Sequence, residues 1–176
     1  MFPLAGAHLA CGPRGPTTAP KAERFPPYGA AEAALFGDSM APDFLGGERR
    51  EPPETDQYLA MRVAWAESVL VGRISTVDQD ARDSGGPHFT LTVTATAPAL
   101  AGETPDGPVQ LLVPPSSSSY TWVRSLDVAL VGRPLILFMK RYNDAGLARI
   151  HWHLEPDTPA VRMAVDRARR MRKANK

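Results

Sequence analysis

Beyond residue 56 the apolar positions switch between a period of two and a period near four, and each switch marks an element. Leu59, Val63 and Ala66 fall at i, i+4 and i+7, one buried helix face, with Asp56 placed to cap its start. Val69 to Val77 then reads as a first strand. Ser84-Gly85-Gly86-Pro87 reads as a turn. The second strand has the clearest alternation in the chain. Phe89, Leu91, Val93 and Ala95 point one way, and Thr90, Thr92, Thr94 and Thr96 the other. Val109 to Val113 is a third strand, closed by Pro114-Pro115. The polar loop Ser116 to Ser119 leads into a short helix over Tyr120 to Leu126. Leu135 to Met139 is apolar without a break, so the fourth strand is covered on both faces. Asn143-Asp144-Ala145-Gly146 is a hairpin turn into a fifth strand, Arg149 to Leu154. There Ile150, Trp152 and Leu154 share one face, and Arg149, His151 and His153 the other. Asp157-Thr158-Pro159 opens a last helix. Its apolar stripe is Val161, Ala164, Val165, Ala168 and Met171.

Three strands, a helix, two strands and a terminal helix are the order of a five-stranded OB-type barrel. The predicted fold is therefore mainly β: a small OB-like barrel with flanking helices and a C-terminal amphipathic helix. The segment Ala66-Glu67-Ser68-Val69-Leu70-Val71-Gly72-Arg73-Ile74, the threonine strand and Leu130-Val131-Gly132-Arg133-Pro134-Leu135-Ile136-Leu137-Phe138 carry a more specific likeness. Together they resemble the netrin-like OB barrel of protease-inhibitor modules and many bacterial secreted proteins, over residues 66–155. The layout is also similar to uncharacterised lipoproteins of myxobacteria, including Leu35-Phe36-Gly37-Asp38-Ser39 and His151-Trp152-His153-Leu154-Glu155-Pro156-Asp157. Inhibitors of the netrin-like group depend on an N-terminal cysteine held by disulfides. This chain has one cysteine, away from the barrel, so metalloprotease inhibition does not carry over.

Proline changes the picture for the first third of the chain. There are 18 prolines in 176 residues, and half precede residue 55. Each fixes φ and removes an amide donor. Residues 12–55 are therefore expected to form a Pro-rich, extended arm or tether, with the barrel domain over residues 56–176. Within the arm, Leu35, Phe36, Met40, Phe44 and Leu45 are too apolar to leave in water, at roughly 1.5–3 kcal/mol per fully buried side chain. That piece is expected to dock on the domain, or to serve as a short partner-binding motif. Before the arm, residues 1–11 are small and apolar and end at Cys11. They look like the end of a bacterial lipoprotein signal peptide, with His8 where that motif usually has leucine. Lipidation of Cys11 would anchor the protein at the cell envelope. The bland alternative is an apolar start with an incidental thiol, and then a cytoplasmic protein.

The candidate chemistry is sparse. His151 and His153 stand two apart on a strand, close enough to chelate one metal, with Glu155 on the same face and His88 as further ligands. The alternatives are a solvated or helix-covered face and a pH-sensitive contact. The serines of 116–119 lack a glycine-flanked elbow and an orienting pair, so no catalytic residue is assigned. No cofactor is implied. The net charge is +1, yet Arg162, Arg169, Arg170, Arg172 and Lys173 crowd the last helix as a weak binding surface. An anionic membrane, an acidic partner or nucleic acid would suit it, and a solvated helix face explains it equally. No run of 18 apolar residues occurs. The favoured expectation is a non-enzymatic, exported, lipid-anchored bacterial binding module with a protein partner. The alternatives are an OB-type nucleic-acid binder and a small metal protein built on His151 and His153.

Overall fold

A computed structural model describes residues 21–80 and 87–174. The expected turn at Ser84-Gly85-Gly86 and the segment carrying Cys11 lie outside the described residues. The elements are α1 (Ala30–Leu35), β1 (Ser39–Met40), α2 (Gln57–Trp65), β2 (Ser68–Asp80), β3 (His88–Ala95), β4 (Val109–Val113), α3 (Tyr120–Leu130), β5 (Pro134–Asp144), β6 (Leu147–Pro156) and α4 (Pro159–Ala174). Single 3-10 turns sit at Ala22–Arg24 and Pro42–Leu45. The six strands form one sheet in the order β1-β6-β5-β2-β3-β4. It curls into a half-barrel, with all neighbours antiparallel except β1 and β6.

The curl is built into β2. Its first half, Ser68 to Arg73, pairs with β5, and its second half, from Gly72 on, pairs with β3 across an irregularity between Ile74 and Thr76. The strand changes partner at Gly72. A Cβ there would stand 2.6 Å from the carbonyl oxygen of Thr94, so only glycine lets the two backbones approach this closely. The β5–β6 hairpin turns on Ala145 and Gly146, both at positive φ (51° and 83°), which matches the twist of the strands it joins.

The sheet is covered on both sides, as the unbroken apolar run of β5 requires. Leu135 and Leu137 point into the curl with Leu70, Ile74, Leu91, Val93, Leu111, Trp152 and Leu154, and α3 closes that core through Val123 and Leu130. Ile136 and Phe138 point outward to a second core under α2 and α4, with Leu59, Val63, Val161 and Val165. Asp56 caps α2 by accepting from the amide of Leu59 at 3.1 Å. The stripe of α4 is buried from Val161 to Val165, but Met171 is 59% exposed because the helix has run past the sheet.

The described part of the arm is not the extended tether expected, while the expected docking of its apolar piece around Leu35 to Leu45 is seen. From residue 21 onward it is packed. Leu35 and Phe36 enter the outer core, while Met40, Ala41 and Phe44 enter the inner one. Ser39 and Met40 add the sixth strand, pairing parallel with His153 and Leu154. The prolines do rule out long elements here. They do not prevent short ones, and burial of Leu35, Phe36, Met40 and Phe44 outweighs the missing regularity.

Candidate functional site

The face of β6 that carries His151, His153 and Glu155 is not solvated, and α2 reaches its Glu155 end through Arg62. The arm lies on it, and all three residues are buried, at 6%, 5% and 1% exposure. Each is met by a polar group from the arm. The Asp38 carboxylate stands 3.0 Å from His151 Nδ1 and also accepts from the Trp152 amide at 3.2 Å. The Ser39 hydroxyl is 2.7 Å from His153 Nδ1, and Glu155 Oε1 is 3.1 Å from His153 Nε2. Arg49 pairs with Glu155, with Asp43 at 3.1 Å and with Asp56 at 3.2 Å, and Arg62 reaches Glu155 at 3.6 Å.

These contacts fix protonation states. Burial pushes the His153 imidazole below its ordinary value, and the nearby Arg62 and Arg49 push the same way. A neutral His153 donates from Nε2 to Glu155 and accepts at Nδ1 from Ser39. Burial raises the Glu155 carboxyl, but the His153 hydrogen bond and the two guanidinium groups outweigh it and leave it below the usual carboxylate range. Asp38 is the opposite case, raised by burial against the pull of His151.

The two histidines do lie on one face, and they do not converge on a common point. Both ring nitrogens of His153 face a partner, and Nδ1 of His151 is held by Asp38. Among the described residues no group of three or more His, Cys, Asp or Glu could hold a metal ion. The His151–His153–Glu155 set is a clamp that fastens the arm. The five basic residues of α4 are not one free patch either. Arg162 pairs with Asp157 at 2.8 Å, Arg169 with Asp166 at 3.3 Å, and Arg172 donates to the carbonyl of Val63 at 3.4 Å. Arg170 and Lys173 are exposed on the outer helix face.

Two clefts remain. The smaller, of about 490 Å³, lies where the arm meets the serine loop and is lined by Tyr28, Asp38, Ser116, Ser118, Asp144 and His151. The ring of Tyr28 stacks on His151 with centroids 3.5 Å apart. Nε2 of His151 is buried without a hydrogen-bond partner, 3.6 Å from Asp144. The loop thus has an Asp38–His151 pair beside it that the sequence conceals, because Asp38 is 113 residues away. No serine hydroxyl bonds to that imidazole, and Ser117 Oγ instead donates to the Asp38 carbonyl at 2.6 Å.

The larger cleft, of about 560 Å³, opens at the seam of the half-barrel, between β4 and β6. Its floor is Val109, Met139 and Ile150, and its rim is Glu67, Glu103, Asp106 and Arg141. Arg141 is held by the Glu67 carboxylate, with Nε 2.9 Å from Oε1. That hydrogen bond raises the guanidinium and lowers the carboxyl. Glu103 and Asp106 are exposed, and against Lys140 and Arg141 the three acids Glu67, Glu103 and Asp106 leave the lining one negative charge in surplus. At the far end of the seam the Trp152 indole donates to the Leu112 carbonyl at 3.2 Å, the single hydrogen bond between β6 and β4 among the described residues. Comparison with protein-family models, with curated proteins and with solved structures returns no match, so the geometry alone supports the functional reading.

Proposed function

We propose that the protein is a non-enzymatic binding module of the netrin-like OB type, exported and held at the bacterial cell envelope by a lipid on Cys11, and that its partner is a protein. The barrel part of the reading is supported by strand order. Without β1 the sheet runs β4-β3-β2-β5-β6, with α3 between the third and fourth of these strands in sequence, as in an OB barrel. The observation that carries the binding part is the seam cleft. It joins an apolar floor to a charged rim, the composition of a recognition site. The histidines are already committed to holding the arm. The nucleic-acid alternative has less to rest on, since three of the five basic residues of α4 are held in local contacts.

In this reading the packed part of the arm, from residue 21 on, belongs to the module. The export and anchoring claim is tested by mass spectrometry of the mature N-terminus from native membrane and soluble fractions. A di- or triacylated peptide beginning at Cys11 is expected. An unmodified Met1 terminus confined to the soluble fraction contradicts it.

A further inference from the structure

β4 is an edge strand. It pairs only with β3, and its other side faces the seam. Within a strand the N–H and C=O of one residue point the same way, and alternate residues share a side. Leu112 points its carbonyl to the seam, because Trp152 reaches it there. Gln110 therefore does the same, and among the described residues the amides of Gln110 and Leu112 and the carbonyl of Gln110 have no hydrogen-bond partner. β6 is covered on its outer side by β1 at His153 and Leu154, but not at Ile150. Trp152 donates its amide outward to Asp38, and Leu154 accepts outward from Ala41 at 2.8 Å. Ile150 therefore turns its backbone groups to the seam, and no strand or loop among the described residues pairs with them. The edge of β4 and the uncovered Ile150 end of β6 thus flank an apolar floor, joined at one end by Trp152 and open at the other.

Resting on the seam as the binding surface, we infer that the partner supplies an extended, basic peptide segment that adds to β4 as a strand. Unpaired edges of this kind are what an added strand satisfies. Alternate side chains of such a segment face opposite ways, so one set reaches Val109, Met139 and Ile150 while the other stays at the rim. Arg141 is paired with Glu67, and the Lys140 ammonium lies over the Trp65 and Tyr142 rings, which leaves the exposed Glu103 and Asp106 to be met by lysine or arginine. Gln110 is exposed and its amide takes no part in the ladder with β3, so the edge can be blocked without disturbing the core.

The probe is the hexapeptide acetyl-Lys-Val-Lys-Val-Lys-Val-amide, titrated into the full chain while the backbone amides are followed by NMR. The expected result is shifts centred on Gln110 and Leu112 and slowed exchange of their amide protons. The same peptide with alternate amides N-methylated, and a glutamate version, should each bind at least tenfold more weakly. Gln110→Pro should abolish the shifts with the rest of the amide spectrum intact. Absence of any shift at Gln110 and Leu112 at millimolar peptide, or equal binding of the N-methylated peptide, overturns strand addition. Crosslinks from the seam in native cells would still uphold the binding-module reading in that case, whereas a seam that neither crosslinks nor binds the probe removes both.

Discussion

Arg49 is the residue that makes the arm part of the domain. Its guanidinium spans Asp43, Asp56 and Glu155, and Glu155 is 1% exposed. Removing one partner of a buried ion pair leaves a charge without compensation. Arg49→Ala is therefore expected to cost about 3 kcal/mol in urea unfolding, with Arg62 at 3.6 Å as the remaining partner of Glu155. His153 adds a pH dependence with a definite sign. Its folded pKa lies below its ordinary value because it is buried. Below about pH 6.5 the unfolded chain takes up a proton that the native imidazole refuses, so stability falls as pH falls. Glu155, held low by its partners, adds a loss of the same sign at pH values below the ordinary carboxylate range. Asp38 works in the opposite direction above its own ordinary value, since its folded pKa is raised. Urea midpoints at pH 7.5 and pH 5.0 check the outcome: the wild type should lose stability, and His153→Gln should lose less of it over the same interval.

At the scale of elements, the arm and β2 set the shape. Phe36 is fully buried in the outer core, beside Tyr142, whose phenol burial raises to about 12. Phe36→Ala should cost about 3–5 kcal/mol, the range for a large buried aromatic, and should open residues 21–56 to limited proteolysis before the strands. Gly72→Ala should destabilise by about 1–3 kcal/mol, since the added methyl meets the Thr94 carbonyl at 2.6 Å. Differential scanning calorimetry of both variants checks these shifts. The barrel strands were legible in the chain because each buries one face or two, and period two or an unbroken apolar run records that directly. Phe89, Leu91 and Val93 are buried as their alternation demands. β1 was not legible: two residues leave no period, and its pairing with His153 and Leu154 depends on segments more than a hundred residues apart. The clamp was half visible. His151-x-His153 stands out as a chemical pattern, but Ser39, Asp38 and Arg49, which decide what it does, come from a stretch whose prolines read as an unpacked tether.

At the scale of the whole molecule, one half-barrel has its outer face covered by α2, α4 and the arm, and its inner core closed by α3. The seam between β4 and β6 is where the strands leave backbone groups unpaired beside apolar and acidic side chains. A chain lacking residues 21–56 would take Leu35 and Phe36 out of the outer core and Met40 and Phe44 out of the inner one at once. It should be recovered as aggregate, which solubility and size-exclusion chromatography of that truncation would read. The central claim is that the seam receives a protein partner. The most direct measurement is photo-crosslinking in native cells from a reactive residue placed at Gln110, compared with one placed at Arg167 on the outer face of α4. Adducts that form from position 110 and not from position 167, and that disappear when Met139 in the floor is changed to glutamate in a still-folded protein, are the predicted result. Adducts from position 167 alone, or equal adducts from both, contradict the account.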